Sequence, residues 1–211
     1  MTLGIGILAC IAALVVGSVA ALSGIAGGAV ALVVSCAVGA AWVSVQGTRA
    51  LRLARAEPAE ASRICRALNL AEGLAQRGDA VVPDLRVMPG TEPNALVCRS
   101  RGRPVVALTE PLLDTFSRTE LEAVVAHCVV RLRRSMLPES LFAALGRVPG
   151  SPPIVGGGDD VRAAALTRYP PALAAALGKA GPPGPSAAFW FAAGPPTHEP
   201  RAGRIALLEE L

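Results

Sequence analysis

The chain has 211 residues, is 52% hydrophobic and carries a formal net charge of +4. That length holds one modest domain plus a membrane segment, and the modest charge with no basic stripe interleaved with aromatics excludes nucleic acid as a partner. Arginine is abundant, while Lys179 is the single lysine, a usage typical of a GC-rich bacterial genome.

The apolar excess is local. Met1 to Thr48 contains no charged residue; Arg49 is the first. A spanning helix needs ~20 apolar residues for a ~30 Å hydrocarbon core. The stretch therefore predicts two transmembrane helices, about 3–22 and 25–45, with a turn around Ser23-Gly24 and Gly27-Gly28. The Gly24-x-x-x-Gly28 spacing lets two helices approach closely. A cleaved signal peptide fits less well, because no basic segment precedes the apolar run and the run is too long. Arg49, Arg52 and Arg55 open a basic juxtamembrane linker over 49–61 and face anionic lipid. By the positive-inside rule they place the bulk of the chain in the cytoplasm of a two-span bacterial membrane protein. Five cysteines, Cys10, Cys36, Cys65, Cys98 and Cys128, with no C-x-x-C pair, read as free thiols.

Pro58 suits the first position of a helix in which Ile64, Leu68, Ala71 and Leu74 share a face, ending at Gly78. Three strand-like runs follow, 85–88, 95–98 and 105–108, separated by Gly90, Pro93-Asn94 and Arg101-Gly102. They predict a small antiparallel sheet. Ser117-Arg118-Thr119-Glu120 is a capping box opening a helix through Leu121, Val124, Val125, Cys128 and Leu132. Arg131, Arg133 and Arg134 near its end complement the helix dipole. Residues 151–160 read as a loop, 161–166 and 171–179 as short helices, and 204–211 as a terminal helix. The Pro/Gly/Ala-rich stretch 181–196 reads as a flexible insertion whose Trp190 and Phe191 dock on the domain or on the membrane.

Several segments, in order, resemble the HtpX-like membrane-bound zinc metallopeptidases, relatives of the CAAX prenyl proteases: Asn69–Ala75, Pro93-Asn94-Ala95, Val106–Leu113, Glu120–His127, Asp160 with Leu166–Pro171, and Thr197-His198-Glu199-Pro200 with Arg204-Ile205. The resemblance covers residues 62–211. It implies an α+β fold: a transmembrane helical hairpin, then a mainly helical zincin-like peptidase domain with a small sheet. It also implies zinc held by two histidines one helical turn apart and a downstream glutamate, with a glutamate base beside the first histidine. Carried onto this chain, the first ligand position is His127, the base position is Cys128, the second ligand position is Arg131 and the third is Gly156. Asp160 matches a carboxylate that orients a ligand histidine, and His198 and Arg204 match groups that stabilise the tetrahedral intermediate.

One of three ligands remains and the base is gone, so no cofactor is expected, zinc included. Neighbouring helix positions diverge by ~100°, so His127 and Cys128 make neither a shared metal site nor a nucleophile–base pair. The expected function is a membrane-anchored pseudoprotease that binds or scaffolds proteins at the cytoplasmic face, with the bilayer as one partner. A protein or peptide in a vestigial groove beside residues 105–108 is the other. The alternatives are an active zinc endopeptidase with an unorthodox site and a structural membrane protein without a ligand.

Overall fold

The computed structural model describes residues 2–146 and 151–211; within the first helix it describes the side chains of residues 12, 14–19 and 26–44. That helix, α1 (Thr2–Ser44), runs without interruption, so the turn expected at Ser23–Gly28 is not formed. The physical reason is that nothing in the stretch removes a backbone donor. It holds no proline, and isolated glycines weaken a helix by only ~1 kcal/mol each. Among the described residues, one segment, Ala26–Leu53, is long and apolar enough to cross a membrane.

A break at Val45 leads into α2 (Gln46–Leu53). Gly47 lies against the carbonyl of Arg99, so close that a Cβ there would overlap it. The Thr48 hydroxyl meets that of Ser100 at 2.8 Å. These two contacts fasten the end of the apolar helix to the sheet. Pro58 does not start a helix. It lies in a two-residue strand, β1 (Glu57–Pro58), where its lack of an N–H is harmless at a sheet edge. The helix α3 (Ala61–Arg77) begins after Glu60, buries Ile64, Ala71 and Leu74, and ends at Gly78.

The strands β2 (Asp84–Met88), β3 (Ala95–Ser100) and β4 (Arg103–Thr109) fall where the apolar runs place them. Their arrangement is mixed rather than antiparallel. The order is β1-β2-β4-β3, with β2 parallel to β4 and antiparallel pairs on both flanks. The β3–β4 hairpin is local, but the connection at residues 89–94 carries the chain past the end of β4, so β4 inserts between β2 and β3. Periodicity reports a strand's face and not its neighbour.

After the short α4 (Glu110–Thr115), α5 (Arg118–Arg133) opens on the expected capping box: Ser117 Oγ accepts from the Glu120 N–H, and Glu120 accepts from the Ser117 N–H at 2.9 Å. This helix is buried almost all round, from Glu120 to Leu132, and packs against α3, β3, α7 (Gly157–Thr167) and α8 (Pro170–Lys179). An unexpected helix, α6 (Leu137–Leu145), follows and lies against α1. The chain closes with α9 (Arg201–Glu209).

The expectation for 181–196 is corrected. Ala188, Phe189, Trp190, Phe191, Ala192 and Ala193 are buried in the core. The segment lies along the free edge of β3: Leu96 and Trp190 form an antiparallel bridge, and the Phe191 N–H donates to Ala95 O at 2.7 Å. The buried Asn94 amide ties the same segment down, donating to Gly181 O and Ala192 O at 2.9 Å each. Composition read as flexible because Gly and Pro are frequent, yet the aromatics supply enough burial to order it.

Candidate functional site

α5 carries His127, Cys128 and Arg131; the segment before α9 carries His198; α7 contributes Asp160; and α9 contributes Arg204. All six side chains are buried. The fold therefore brings together every residue that the resemblance singled out apart from Gly156, which stands just outside as the cap of α7.

Arg131 defines the centre. Its side chain is fully buried and does not serve the helix dipole. It donates to Trp190 O at 2.8 Å, to Ala188 O at 2.7 Å and to Glu139 Oε1 at 3.1 Å. Burial pulls its pKa down, and Glu139 pushes back, so the guanidinium stays charged. Glu139, on α6, also accepts from Arg134 at 2.7 Å, and Arg134 reaches Asp159 at 3.1 Å. Sequence reasoning missed Glu139. The available signal was that a guanidinium on a buried helix face needs a carboxylate partner.

A second buried network lies beside it. Asp160 accepts from Arg204 Nε and Nη2, both at 2.7 Å, in a two-pronged pair. His127 Nδ1 lies 3.1 Å from Asp160 Oδ1 but off the line of a hydrogen bond, and His127 Nε2 has no hydrogen-bond partner. The His127 ring meets Phe191 edge-on at 5.2 Å. Burial would raise the Asp160 carboxyl, but Arg204 and His127 overcome it and hold it well below the usual carboxylate range. His198 Nε2 donates to Trp190 O at 2.9 Å, while Nδ1 lies 3.0 Å from the Thr197 hydroxyl. Trp190 O thus collects donors from both His198 and Arg131.

Cys128 is buried, and desolvation pushes its thiol up to about 12, against the smaller pull of Arg131. It is a neutral core thiol and not a nucleophile. Gly156 faces the Glu199 side chain: a Cβ there would overlap that carboxylate, which accepts from the Gly157 N–H at 2.9 Å. Glu199, also unanticipated, caps α7.

A zinc ion does not fit these residues. His127 Nε2 is a bare donor, but the neighbouring positions offer a cation at Arg131, a buried neutral thiol at Cys128 and no side chain at Gly156. Among the described residues no three His, Cys, Asp or Glu side chains form a metal-holding group.

Both histidines, the only two in the chain, have pKa values pushed down, in each case chiefly by burial; His198 is brought to about 2. Below the unfolded value of 6.5 the unfolded chain takes up protons that the folded chain refuses. Stability is therefore level above neutrality and falls as pH drops through 6.5, by up to about 1.4 kcal/mol per pH unit for each histidine. Unfolding midpoints of the full chain in detergent between pH 5 and 8 should show this slope, and His198→Gln should roughly halve it. Asp160 adds a further loss only below its unfolded value of 3.8.

No protein-family model matches the chain, and no solved structure matches it. Among curated proteins it is similar to a "Protease HtpX homolog" of Trichormus variabilis, 32% identical over 98 residues, which are 46% of this chain and 34% of that one. The same name belongs to similar proteins of Salinibacter ruber, 31% identical over 97 residues (45% and 35%), and Pyrococcus abyssi, 37% over 78 residues (36% and 27%). Over 78–98 residues the chain is thus similar to proteins named as protease HtpX homologues. It spans about a third of the length of the curated relatives it matches.

Proposed function

We propose that this chain is a membrane-anchored, proteolytically inactive HtpX-like protein whose former substrate groove is closed by its own segment 187–193. One observation carries the reading: the guanidinium of Arg131, the residue that the resemblance sets at the second ligand position, is bound to Trp190 O and Ala188 O of that segment. Losing a general base alone costs ~10² to 10⁴ in rate, and a fixed cation beside His127 repels a metal ion. β4 is paired on both sides, so residues 105–108 offer no free edge to an extended peptide, and β3 offers its edge to the 187–193 segment. A peptide would have to displace that segment, so a scaffolding role at the membrane falls to other surfaces. The test is zinc content of the purified full chain in detergent, by elemental mass spectrometry after mild chelator washing. We expect near-zero zinc. About one zinc per chain, lost in His127→Ala, would overturn the reading.

The proposed topology departs from the continuous α1 and keeps two spans and a cytoplasmic domain. A straight helix of 43 residues would be about 65 Å long, about twice the hydrocarbon core, and would leave half its apolar surface in water. Folding back within the bilayer avoids that exposure, and Arg49, Arg52 and Arg55 then stay inside with the domain. Reporter fusions at residues 1 and 211 should both report cytoplasm; an external residue 1 would establish a single span.

A further inference from the structure

Two cavities flank the β3–β4 turn, one lined by Ser100, Arg101 and Arg103 and the other by Arg99 and Gly102. The first, of ≈ 900 Å³, is polar, and Arg52, Arg55, Arg86, Arg101 and Arg103 line it. Against them stand Glu57 and Asp84, and Asp84 is engaged by Arg86 at 3.1 Å. Among the described residues, Arg52, Arg55, Arg101 and Arg103 make no ion pair. Arg55 and Arg101 have φ values of 52° and 51°, a left-handed conformation that glycine or asparagine adopts far more easily. An arginine at each of these positions strains the backbone, and both residues line the cavity.

The second cavity, of ≈ 680 Å³, is an apolar cleft between the end of α1 and α6, lined by Gly39, Trp42, Val43, Leu137 and Leu141. Arg99 and Gly102 of the same hairpin form its far wall. Trp42 marks the depth of the membrane interface, and the Arg49 guanidinium sits 5.5 Å from its ring. With the chain anchored as proposed, the apolar cleft lies at the level of lipid chains and the arginine cavity at the level of phosphates.

We propose that these cavities together bind one anionic phospholipid, its phosphate held by Arg55, Arg101 and Arg103 and an acyl chain lying in the cleft against Trp42 and Leu141. Guanidiniums match phosphate oxygens in two-pronged hydrogen bonds, and the five arginines of this cavity face two carboxylates, Glu57 and Asp84, which leaves an excess of three positive charges. A phosphate-bearing head group supplies the missing charge, and the apolar cleft selects a lipid over free phosphate. The site rests on the proposed membrane anchoring and not on the state of the metal position.

The experiment reconstitutes the full chain in nanodiscs of equal phosphatidylglycerol and phosphatidylcholine, then counts the lipids retained after detergent extraction by native mass spectrometry. The expected result is one retained phosphatidylglycerol per chain. Each of Arg55→Gln, Arg101→Gln and Arg103→Gln should weaken retention by about fivefold. A charge-matched triple variant elsewhere, Arg63→Gln, Arg118→Gln and Arg162→Gln, should leave it unchanged; an equal loss there would overturn the site in favour of bulk charge. Displacement by excess inorganic phosphate, or undiminished retention in Leu141→Gln, would overturn the lipid assignment. A chain that enters the discs but retains no phosphatidylglycerol overturns this site alone. Failure to enter them overturns the membrane reading as well.

Discussion

Asp160→Ala is expected to lower the stability of the folded domain by about 3–5 kcal/mol, the cost of leaving a buried charge without its partner. Asp160 is fully buried and receives two 2.7 Å hydrogen bonds from Arg204, which is itself 1% exposed. Truncation leaves that guanidinium with a 3.4 Å contact to Phe191 O as its remaining hydrogen bond and removes the charge facing His127 Nδ1. For a domain of this size ~1 kcal/mol moves the unfolding midpoint by ~2–4 °C, so the drop is on the order of 10 °C. The comparison is Arg63→Gln, which removes a half-exposed partner of Glu110 and Asp114 at 3.9 and 3.6 Å. That change should cost at most about 1 kcal/mol. Thermal unfolding of the two variants in the same detergent separates them. Equal midpoints would mean that the Asp160–Arg204 pair does not hold α7 to α9.

This pair also bears on what resemblance alone implies. Asp160 and Arg204 match positions with duties around a metal and a tetrahedral intermediate, yet here they neutralise each other. The pair joins α7 to α9, a structural duty that needs no metal.

What the sequence made legible follows from local physics. The capping box at Ser117, the apolar face of α3 and the three apolar strand runs depend on neighbours within a few residues, and each appears where expected. The candidate site was also legible, because His127, Cys128 and Arg131 share one helix and the other positions follow in chain order. The missed features are non-local. The placement of β4 between β2 and β3 depends on a loop crossing, and Glu139 meets Arg131 only because α6 folds back. The stretch 181–196 looked flexible in composition, but its order comes from the edge of β3 and from one asparagine 87 to 98 residues away. The turn expected in the apolar helix rested on a bilayer thickness, a constraint outside the chain, whereas the backbone alone continues as a helix.

Arg131→Ala should have the other large effect, and its signature should be local as well as global. The guanidinium joins three elements: α5, on which it sits, α6 through Glu139, and the 187–193 segment through the carbonyls of Ala188 and Trp190. Without it, two buried carbonyls lose donors at about 1–3 kcal/mol each. Trp190 O keeps His198, and Glu139 keeps Arg134. The expected loss is therefore about 3 kcal/mol, concentrated where Ala188 O is left alone. The segment should loosen from β3 before the domain unfolds, since its remaining ties are the Leu96–Trp190 bridge, the Phe191–Ala95 hydrogen bond, Asn94, and the contacts of His198 with Trp190 O and Arg204 with Phe191 O. Trp42 and Trp190 are the only tryptophans, so a Trp42→Phe background makes Trp190 a single reporter. In that background Arg131→Ala should red-shift the emission and speed amide exchange at residues 187–193 while exchange within α3 stays slow. Arg131→Lys should rescue only in part, because an ammonium cannot present a planar fork to two carbonyls and a carboxylate at once. Unchanged exchange at the segment would show that β3 and Asn94 hold it without Arg131. The closed groove would then be a matter of sheet pairing, and the arginine at the second ligand position would serve only to bind Glu139.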